Sequence, residues 1–428
     1  MRLYLIASKP TDSVIYGFLP AAARLGLDVA LLTDQVVAHE RAWAGSRLLP
    51  RPGCMAGANG DTGHRANAAP VPIHQCDVWH AGELIRAIAA LPAPDAIFSN
   101  SDHLQTQTAL AAAYFGVPGK DWRASMRAKN KSLMRHRLAE TGTEQVAVAE
   151  IRPDSGHPLR HLTYPVVLKP SEGVASEDVM LVGGPDELAE RCAQIFARRP
   201  GDTLLAEEYL PGALCTLETL GDGVTTWVLG GFRTQLSPLP FFIEERLTWD
   251  APVPDEARRH VLPALAELGA TFGACHTEYV LDAGRGPRLI EVNDRMIGDH
   301  CDFVLSDLLG VDLFERVLRV HLGEPLPPGS PPEPRSGLGH AVIDYVVADL
   351  PGVLTTAPPA GPQPGTEPGV ELSYRPLRDV GDSIELIHAN RDYLGVISAI
   401  GADPVAVELS VAAVRASGGW EIAGESRS

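Results

Sequence analysis

The segment RLIEVNDRM, residues 288–296, sets Glu291 and Asn293 two positions apart in a short apolar run and follows them with Arg295. Side chains alternate across a strand, so Glu291 and Asn293 share one face while Ile290 and Val292 point into a core. A preceding segment, GACHTEYVLD, carries His276 and Glu278 at the same spacing. Joined as a hairpin around residues 283–286, the two runs place Asp282 opposite Pro287, Glu278 opposite Glu291 and His276 opposite Asn293. Opposed carboxylates repel by about 1 kcal/mol at about 4 Å in bulk water and by about 4 kcal/mol at an effective dielectric near 20. A cation between them would remove that cost. Oxygen donors from Glu278, Glu291 and Asn293, with no cysteine and a single histidine nearby, suit Mg²⁺ or Mn²⁺ rather than Zn²⁺. Mg²⁺ keeps positions open for phosphate oxygens, which turns attention to a nucleotide. The competing reading is a pair of exposed strand glutamates that never meet.

Three other stretches hold residue types suited to that partner. Lys169 ends an apolar strand and precedes PSEGVASE, where Ser171, Gly173 and Ser176 let backbone N–H groups approach phosphates while the lysine adds charge. AEEYLPG places Glu207, Glu208, Tyr209 and Leu210 at a strand end before a bend, where backbone groups can meet a flat base edge. FFIEERLTW offers Glu244 for an ammonium group, and Arg246, two positions along, is expected on the same face for a second carboxylate. The plainer alternative is that Glu244 and Arg246 pair with each other on a solvated strand.

These residues need elements to hold them. RLYLIAS, a helix from Val14 to Leu25, and DVALLTD read as strand, helix, strand, the unit of a parallel sheet. No G-x-G-x-x-G lies between them, which argues against a dinucleotide site. Residues 50–75 lack periodicity and read as a long mobile loop with solvated histidines. DAIFSN supplies another strand, and Leu104 to Phe115 a helix. Ser99, Asn100, Ser101 and Asp102 then lie at a carboxyl strand end, where open α/β sheets collect ligands, with helix capping by Asp102 as the alternative. From about residue 125 come a basic helix, RAKNKSLMRHRLAETG, two strands around the small-residue loop, a long sheet-like stretch to about Val253 and a helix from Pro254 to Leu268. Residues 323–337 are proline-rich enough for a linker, and an α+β segment follows.

Composition narrows the function classes. A chain of 428 residues with 45% hydrophobic content can form two or three domains. A net charge of -18 argues against nucleic acid or an anionic membrane as the main partner. No apolar run is long enough for a membrane helix or a signal segment, so a cytoplasmic location is expected. Cys54, Cys76, Cys192, Cys215, Cys275 and Cys301 lack C-x-x-C spacing and read as reduced, buried thiols.

In order and spacing these pieces resemble the ATP-grasp superfamily over about residues 1–320, and the tail, HAVIDYVVADLPGVL with DVGDSIELIHANRDYLGVISAIG, looks like the C-terminal part of L-amino acid (dipeptide) ligases. The resemblance implies an α/β and α+β multidomain fold: an N-terminal parallel-sheet (pre-ATP-grasp) domain over 1–123, an ATP-grasp domain of two α+β subdomains over 124–322, the linker, and a small C-terminal α+β domain over 338–428. It implies Lys131 and Lys169 on the phosphates of ATP, and Glu207, Glu208, Tyr209 and Leu210 along the adenine. Glu278, Glu291 and Asn293 would hold Mg²⁺ or Mn²⁺, and Arg295 would face the transferring phosphoryl group or the substrate carboxylate. Glu244 falls where such ligases keep a glutamate near the substrate amine, and His276 is a candidate to orient that amine or accept its proton. Two departures stand out. Leu214 occupies the position of an acidic ribose contact, and Arg246 and Leu247 replace Gly-His after Glu244. The implied activity is formation of an amide between a carboxylic or amino acid and an amino acid, with release of ADP and phosphate. A bicarbonate-phosphorylating carboxylase and a non-catalytic nucleotide-binding protein remain the alternatives. The oligomeric state stays open, a homodimer included.

Overall fold

The computed structural model describes residues 1–46, 71–154, 162–249, 253–329, 331–364 and 366–424. Its first sheet is parallel and holds β1 (Arg2–Ile6), β2 (Asp28–Thr33), β3 (Ile73–Gln75) and β4 (Ala96–Phe98) in the order β3-β2-β1-β4. Leu3, Tyr4, Leu5 and Ile6 are all buried, as expected where helices cover both faces of a parallel sheet. The helix expected from Val14 to Leu25 starts as a π-helical turn over Ser13–Phe18 and continues as an α-helix over Leu19–Arg24. The expected loop over 50–75 lies mostly outside the described residues, and its end is β3. Three residues are too few for alternation to register in a sequence.

The second sheet contains β5 (Val148–Ile151), β6 (Val166–Pro170), β7 (Met180–Val182) and β8 (Leu204–Glu208), antiparallel in the order β5-β8-β6-β7 and backed by the helix Pro185–Arg198. The basic stretch before it is not one helix. Asn130 adopts an extended conformation between Trp122–Lys129 and Lys131–Glu140, and its side chain accepts the Leu133 N–H at 3.1 Å, capping the second helix. Lys131 therefore stands at the first position of a helix.

The large sheet is assembled from β9 (Ala213–Asp222), β10 (Thr226–Gly230), β11 (Arg233–Leu236), β12 (Glu244–Trp249), β13 (Phe272–Asp282), β14 (Gly286–Asn293) and β15 (His340–Val347). It continues, past β16 (Gly352–Thr356), into β17 (Gly361–Pro362), β18 (Val370–Pro376) and, beyond β19 (Ser383–Ile384), β20 (Tyr393–Gly401). The order is β14-β13-β9-β11-β12-β15-β20-β18-β17, with β10 beside β9, while β16 and β19 join β21 (Glu421–Ala423) in a small sheet. One sheet thus crosses the proline-rich stretch, because β12 pairs with β15. Its back face near β9, β13 and β14 buries Leu217, Tyr279, Leu289 and Val292 against Val261, Leu265 and Leu268 of the helix Asp255–Leu268. A single larger core joins Leu3 and Phe98 of the first sheet to Phe303 and Phe314 and to Ile343, Tyr345 and Val396 beyond residue 338. The five described cysteines are free and buried.

Candidate active site

The hairpin of β13 and β14 pairs His276 with Asn293 and Glu278 with Glu291, in the expected register, yet Asp282 faces Gly286 rather than Pro287. The turn has three residues. Gly286 takes φ 73°, a conformation that favours glycine, and the Asp282 carboxylate accepts the N–H groups of Gly284 and Arg285. The one-residue difference is absorbed by a bulge that leaves Ile290 without a partner between the Glu278 and Tyr279 pairs. Leu289 and Val292 therefore share the buried back face, and Ile290 is turned away from Val292, contrary to the alternation the sequence suggested. It packs instead with Leu210, Leu214 and Val280.

Pairing with β9 completes the front face, setting Glu218 beside His276, Thr216 beside Glu278 and Leu214 beside Val280. The His276 imidazole meets Glu218 through Nδ1 at 2.8 Å and Glu278 through Nε2 at 3.5 Å. Burial disfavours its charge, but the two carboxylates prevail and push its pKa up to about 10. Both ring nitrogens thus face carboxylates, an arrangement that favours bracing Glu278 over accepting a proton from an amine. Glu278 is itself kept below the ordinary carboxylate range: burial opposes its charge, and His276, Lys131 and Arg295 outweigh burial.

Lys131 reaches this face from its helix start. Its ammonium lies 2.8 Å from Glu291 Oε1 and donates to the Gly173 carbonyl at 2.9 Å, while its backbone N–H donates to Ser171. Burial works against its charge, but Glu291 raises its pKa above the usual lysine value. One turn along the same helix, Arg135 grips Glu207 with Nε and Nη2 and Glu144 with Nη1. Lys169 Nζ is 2.6 Å from the same Glu207. Against the cost of burial, Arg135 and Lys169 bring Glu207 down to about 2. Glu207 thus holds cations, whereas Glu208 is turned outward to Arg285 and the Ala147 N–H. Tyr209 follows, its N–H on the Pro165 carbonyl, and Leu210 enters the apolar patch with Leu214. In the loop after Lys169, a Cβ on Gly173 would sit 3.3 Å from Pro170, and Ala175, Ser176 and Asp178 all adopt positive φ. Three such non-glycine residues in one short loop mark stored backbone strain.

Arg295 Nη1 donates to the Met296 carbonyl at 2.8 Å, and its charge is felt by Glu278 and by Asp102 at the end of β4. Asp102 pairs with Lys129 at 2.6 Å; burial opposes its charge, yet Lys129 and Arg295 bring it down to about 2. Asn100 accepts the Met296 N–H. The carboxyl end of the parallel sheet therefore abuts the hairpin. Asn293 is buried beside Glu291, and the next residue, Asp294, is anchored by Lys120 at 2.8 Å and Ser125 at 2.6 Å.

Glu244 joins this surface and Arg246 does not. A bulge in β12 pairs Arg246 with Gln235 and Glu244 with Leu236, so the two charges fall on opposite faces. Arg246 binds Glu408 at 2.8 Å and Asp344 at 3.4 Å. The shared-face expectation is overturned. Glu244 instead receives Asn390 Nδ2 at 3.0 Å, and burial together with the charge of Glu278 pushes its pKa up to about 8.

Among the described residues no group of three or more His, Cys, Asp or Glu is arranged for a metal ion. The donors here are two opposed carboxylates, each about 18% exposed, and one amide. That set fits a hard cation completed by phosphate oxygens and water, the habit of Mg²⁺. Sequence reading passed over Arg135, Lys129, Glu218 and Asn390. Arg135 had a signal, four residues after Lys131 on one helix face; the other three depend on which distant segments become neighbours.

Comparison with known proteins places the fold. No family model matches the chain. An L-amino acid ligase from Bacillus licheniformis superposes with a TM-score of 0.72 at 20% identity over 99% of this chain and 98% of that one. The chain has the ATP-grasp fold. A biotin carboxylase from Campylobacter jejuni, solved as a β,γ-ATP complex, superposes at 0.66 with 16% identity over 98% and 92% of the two chains. Among curated sequences, an uncharacterised protein of Sinorhizobium fredii is 28% identical over 224 residues, 49% of this chain and 45% of that protein. Carnosine synthase 1 of Gallus gallus is 26% identical over 319 residues, 65% of this chain and 34% of that enzyme. The ATP-grasp chain thus spans less than half the length of these curated relatives. No described helix is long and apolar enough to cross a membrane.

Proposed function

We propose that the chain is an ATP-dependent ligase that joins a carboxylic or amino acid to the amino group of an amino acid through an acylphosphate. The observation that carries this reading is the register of β13 and β14, which opposes Glu278 and Glu291 beside Lys131 on the surface that also holds Glu244. Likeness to an L-amino acid ligase and to carnosine synthase supports it. On this reading residues 124–322 bind nucleotide, and residues 1–123 and 338–428 close the acid and amine sites around them.

A carboxylate acylates poorly because its leaving group would be oxide. Attack of its oxygen on the γ-phosphorus releases ADP and leaves an acylphosphate; the amine then attacks the carbonyl carbon, phosphate departs with the bonding pair, and the nitrogen loses a proton. Mg²⁺ or Mn²⁺ held by Glu278, Glu291 and Asn293 would neutralise phosphate charge. Lys131 and Lys169 neutralise the remainder, and the backbone of Ser171, Gly173 and Ser176 lines the phosphates. Leu210, Leu214, Val280 and Ile290 offer an apolar seat for a base, flanked by the Glu207–Tyr209 backbone. Arg295 faces the acyl phosphate. Glu244 orients the amine, and its ionised fraction, which grows as pH approaches its pKa near 8, takes the proton that the amine must lose. His276 keeps Glu278 in register.

Release of ADP, screened with amino acids and small carboxylates singly and in pairs, tests the assignment. An amide product by mass spectrometry, formed only when an acid and an amino acid are both present, is expected. Full ADP release with bicarbonate and no amine would move the assignment to carboxylation. Nucleotide binding without turnover under any pairing would leave a sensor.

A further inference from the structure

Three segments distant in sequence meet above the hairpin. The loop after β6 leads into β7, whose Met180 bridges Phe241 and whose Leu181 N–H donates to the Pro240 carbonyl at 2.8 Å. Phe241 stacks on His388, ring centroids 4.1 Å apart and nearly parallel. The turn that carries His388 touches the same loop twice more: the Asn390 N–H donates to the Ala175 carbonyl at 3.0 Å, and Arg391 lies 3.1 Å from Glu177. Within that turn Asp392 accepts the N–H groups of Ile387 and Ala389, so its shape is internally braced. The loop contacts therefore fix where the turn sits rather than how it is folded.

The Asn390 side chain then faces the other way. Its Oδ1 accepts the Glu244 N–H at 3.1 Å, and its Nδ2 donates to Glu244 Oε2 at 3.0 Å. One residue thus ties the phosphate loop, through its backbone, to the buried carboxylate, through its amide. The loop side is strained, with positive φ at Ala175, Ser176 and Asp178, and so is His388 in the turn. Strained non-glycine residues persist where surrounding contacts hold them, and here each side of the contact holds the other. The donated hydrogen bond favours the ionised form of Glu244, the form that binds an ammonium group.

We propose that Asn390 is a positioning residue that couples closure of the loop 171–181 over the nucleotide to preparation of Glu244 for the amine. The proposal rests on the reading above that this loop meets ATP and Glu244 meets the amine. Its consequence is an order: nucleotide binding docks the turn, the turn presents Asn390, and the Glu244 carboxyl is oriented before the amine arrives. Coupling of this kind is reciprocal, so amine binding also tightens the loop on the nucleotide.

Hydrogen exchange with Mg²⁺ and a non-hydrolysable β,γ-imido ATP analogue tests it without knowledge of the amine. In the wild type the analogue should slow exchange over 171–181 and also at the Glu244 amide, the latter by about fivefold to tenfold, as one added hydrogen bond of ordinary strength provides. Asn390→Ala should keep the protection over 171–181 and lose the response at residue 244. Arg391→Gln, which leaves Asn390 in place but weakens docking of the turn, should give a smaller response there. Once the screen supplies an amine, Asn390→Ala should raise its KM by about tenfold while the KM for ATP stays within about twofold. Protection confined to 171–181 in the wild type overturns the coupling, as does an Asn390→Ala variant that loses protection over 171–181. Absence of protection in both segments overturns the nucleotide reading itself, and the coupling with it.

Discussion

At the scale of single residues, two groups around the hairpin hold shifted protons, and each shift has a consequence. Glu244 is raised from the ordinary glutamate range to about 8 by burial and by Glu278. Between roughly pH 4.5 and 8 the folded protein therefore binds a proton that the unfolded chain lacks, and this group's effect on stability turns unfavourable as pH rises through that window. Glu244→Gln should raise Tm at pH 8–9 relative to the wild type while abolishing the rise of kcat/KM for the amine near pH 8. Melting curves and a pH-rate profile check both. His276 has the opposite sign. Its folded pKa near 10 contributes stability that is full below about 6.5 and is lost as pH climbs to 10. His276→Gln should flatten that alkaline decline in Tm. Glu291→Gln removes a donor that faces both Lys131 and the position of a cation. ADP formation should fall by at least about a hundredfold, the scale of losing one charged partner of a transferring phosphoryl group, with an unchanged circular dichroism spectrum. Turnover equal to the wild type at saturating Mg²⁺ would remove this residue from the site.

At the scale of elements, irregularities decide which side chains meet. The bulge at Ile290 keeps Glu278 and Glu291 opposed although the turn is one residue shorter than expected. The bulge in β12 separates Glu244 from Arg246. Asn130 breaks what reads as a single helix and brings Lys131 to Glu291. From the second of these, Arg246→Gln should leave the KM for the amine unchanged. It should lower stability by about 1 kcal/mol, because it breaks partly covered pairs with Glu408 and Asp344 on the far face. A large rise in that KM in steady-state assays would return Arg246 to the amine site. All three irregularities escape a reading based on strict period 2 or 3.6, since one unpaired residue reverses the facing of everything beyond it.

At the scale of the whole molecule, the proline-rich stretch joins segments that are not separable. The strand β12, which begins at Glu244, pairs with β15, and the main core draws on residues from both sides of 323–337. Truncation after residue 337 would leave β12 as an exposed edge, strip Ile343, Tyr345 and Val396 from that core, and remove Asn390 from Glu244. The truncated chain is expected to bind a hydrophobic dye and lack a cooperative calorimetric transition. The full chain should bind no dye and unfold cooperatively. A truncated chain that melts sharply and binds ATP like the full chain would show the C-terminal segment to be an independent unit.

What the sequence determined by itself was chemistry and local order. Glu278, Glu291 and Asn293 at alternate positions, Lys169 before a glycine loop, and the strand–helix–strand start were legible because residue type and short-range periodicity reflect local backbone geometry. The opposition of Glu278 and Glu291, counted from a four-residue turn, holds only because the bulge at Ile290 offsets a turn of three. Tertiary structure alone decided that His276 is held between Glu218 and Glu278, that Arg246 turns away from Glu244, that Glu207 serves Arg135 and Lys169, and that Asn390 reaches back across the sheet to Glu244. Each of those outcomes depends on which strands become neighbours and on the low dielectric their burial creates. Charge state and partner choice are properties of that shared interior, and no single stretch of chain encodes them.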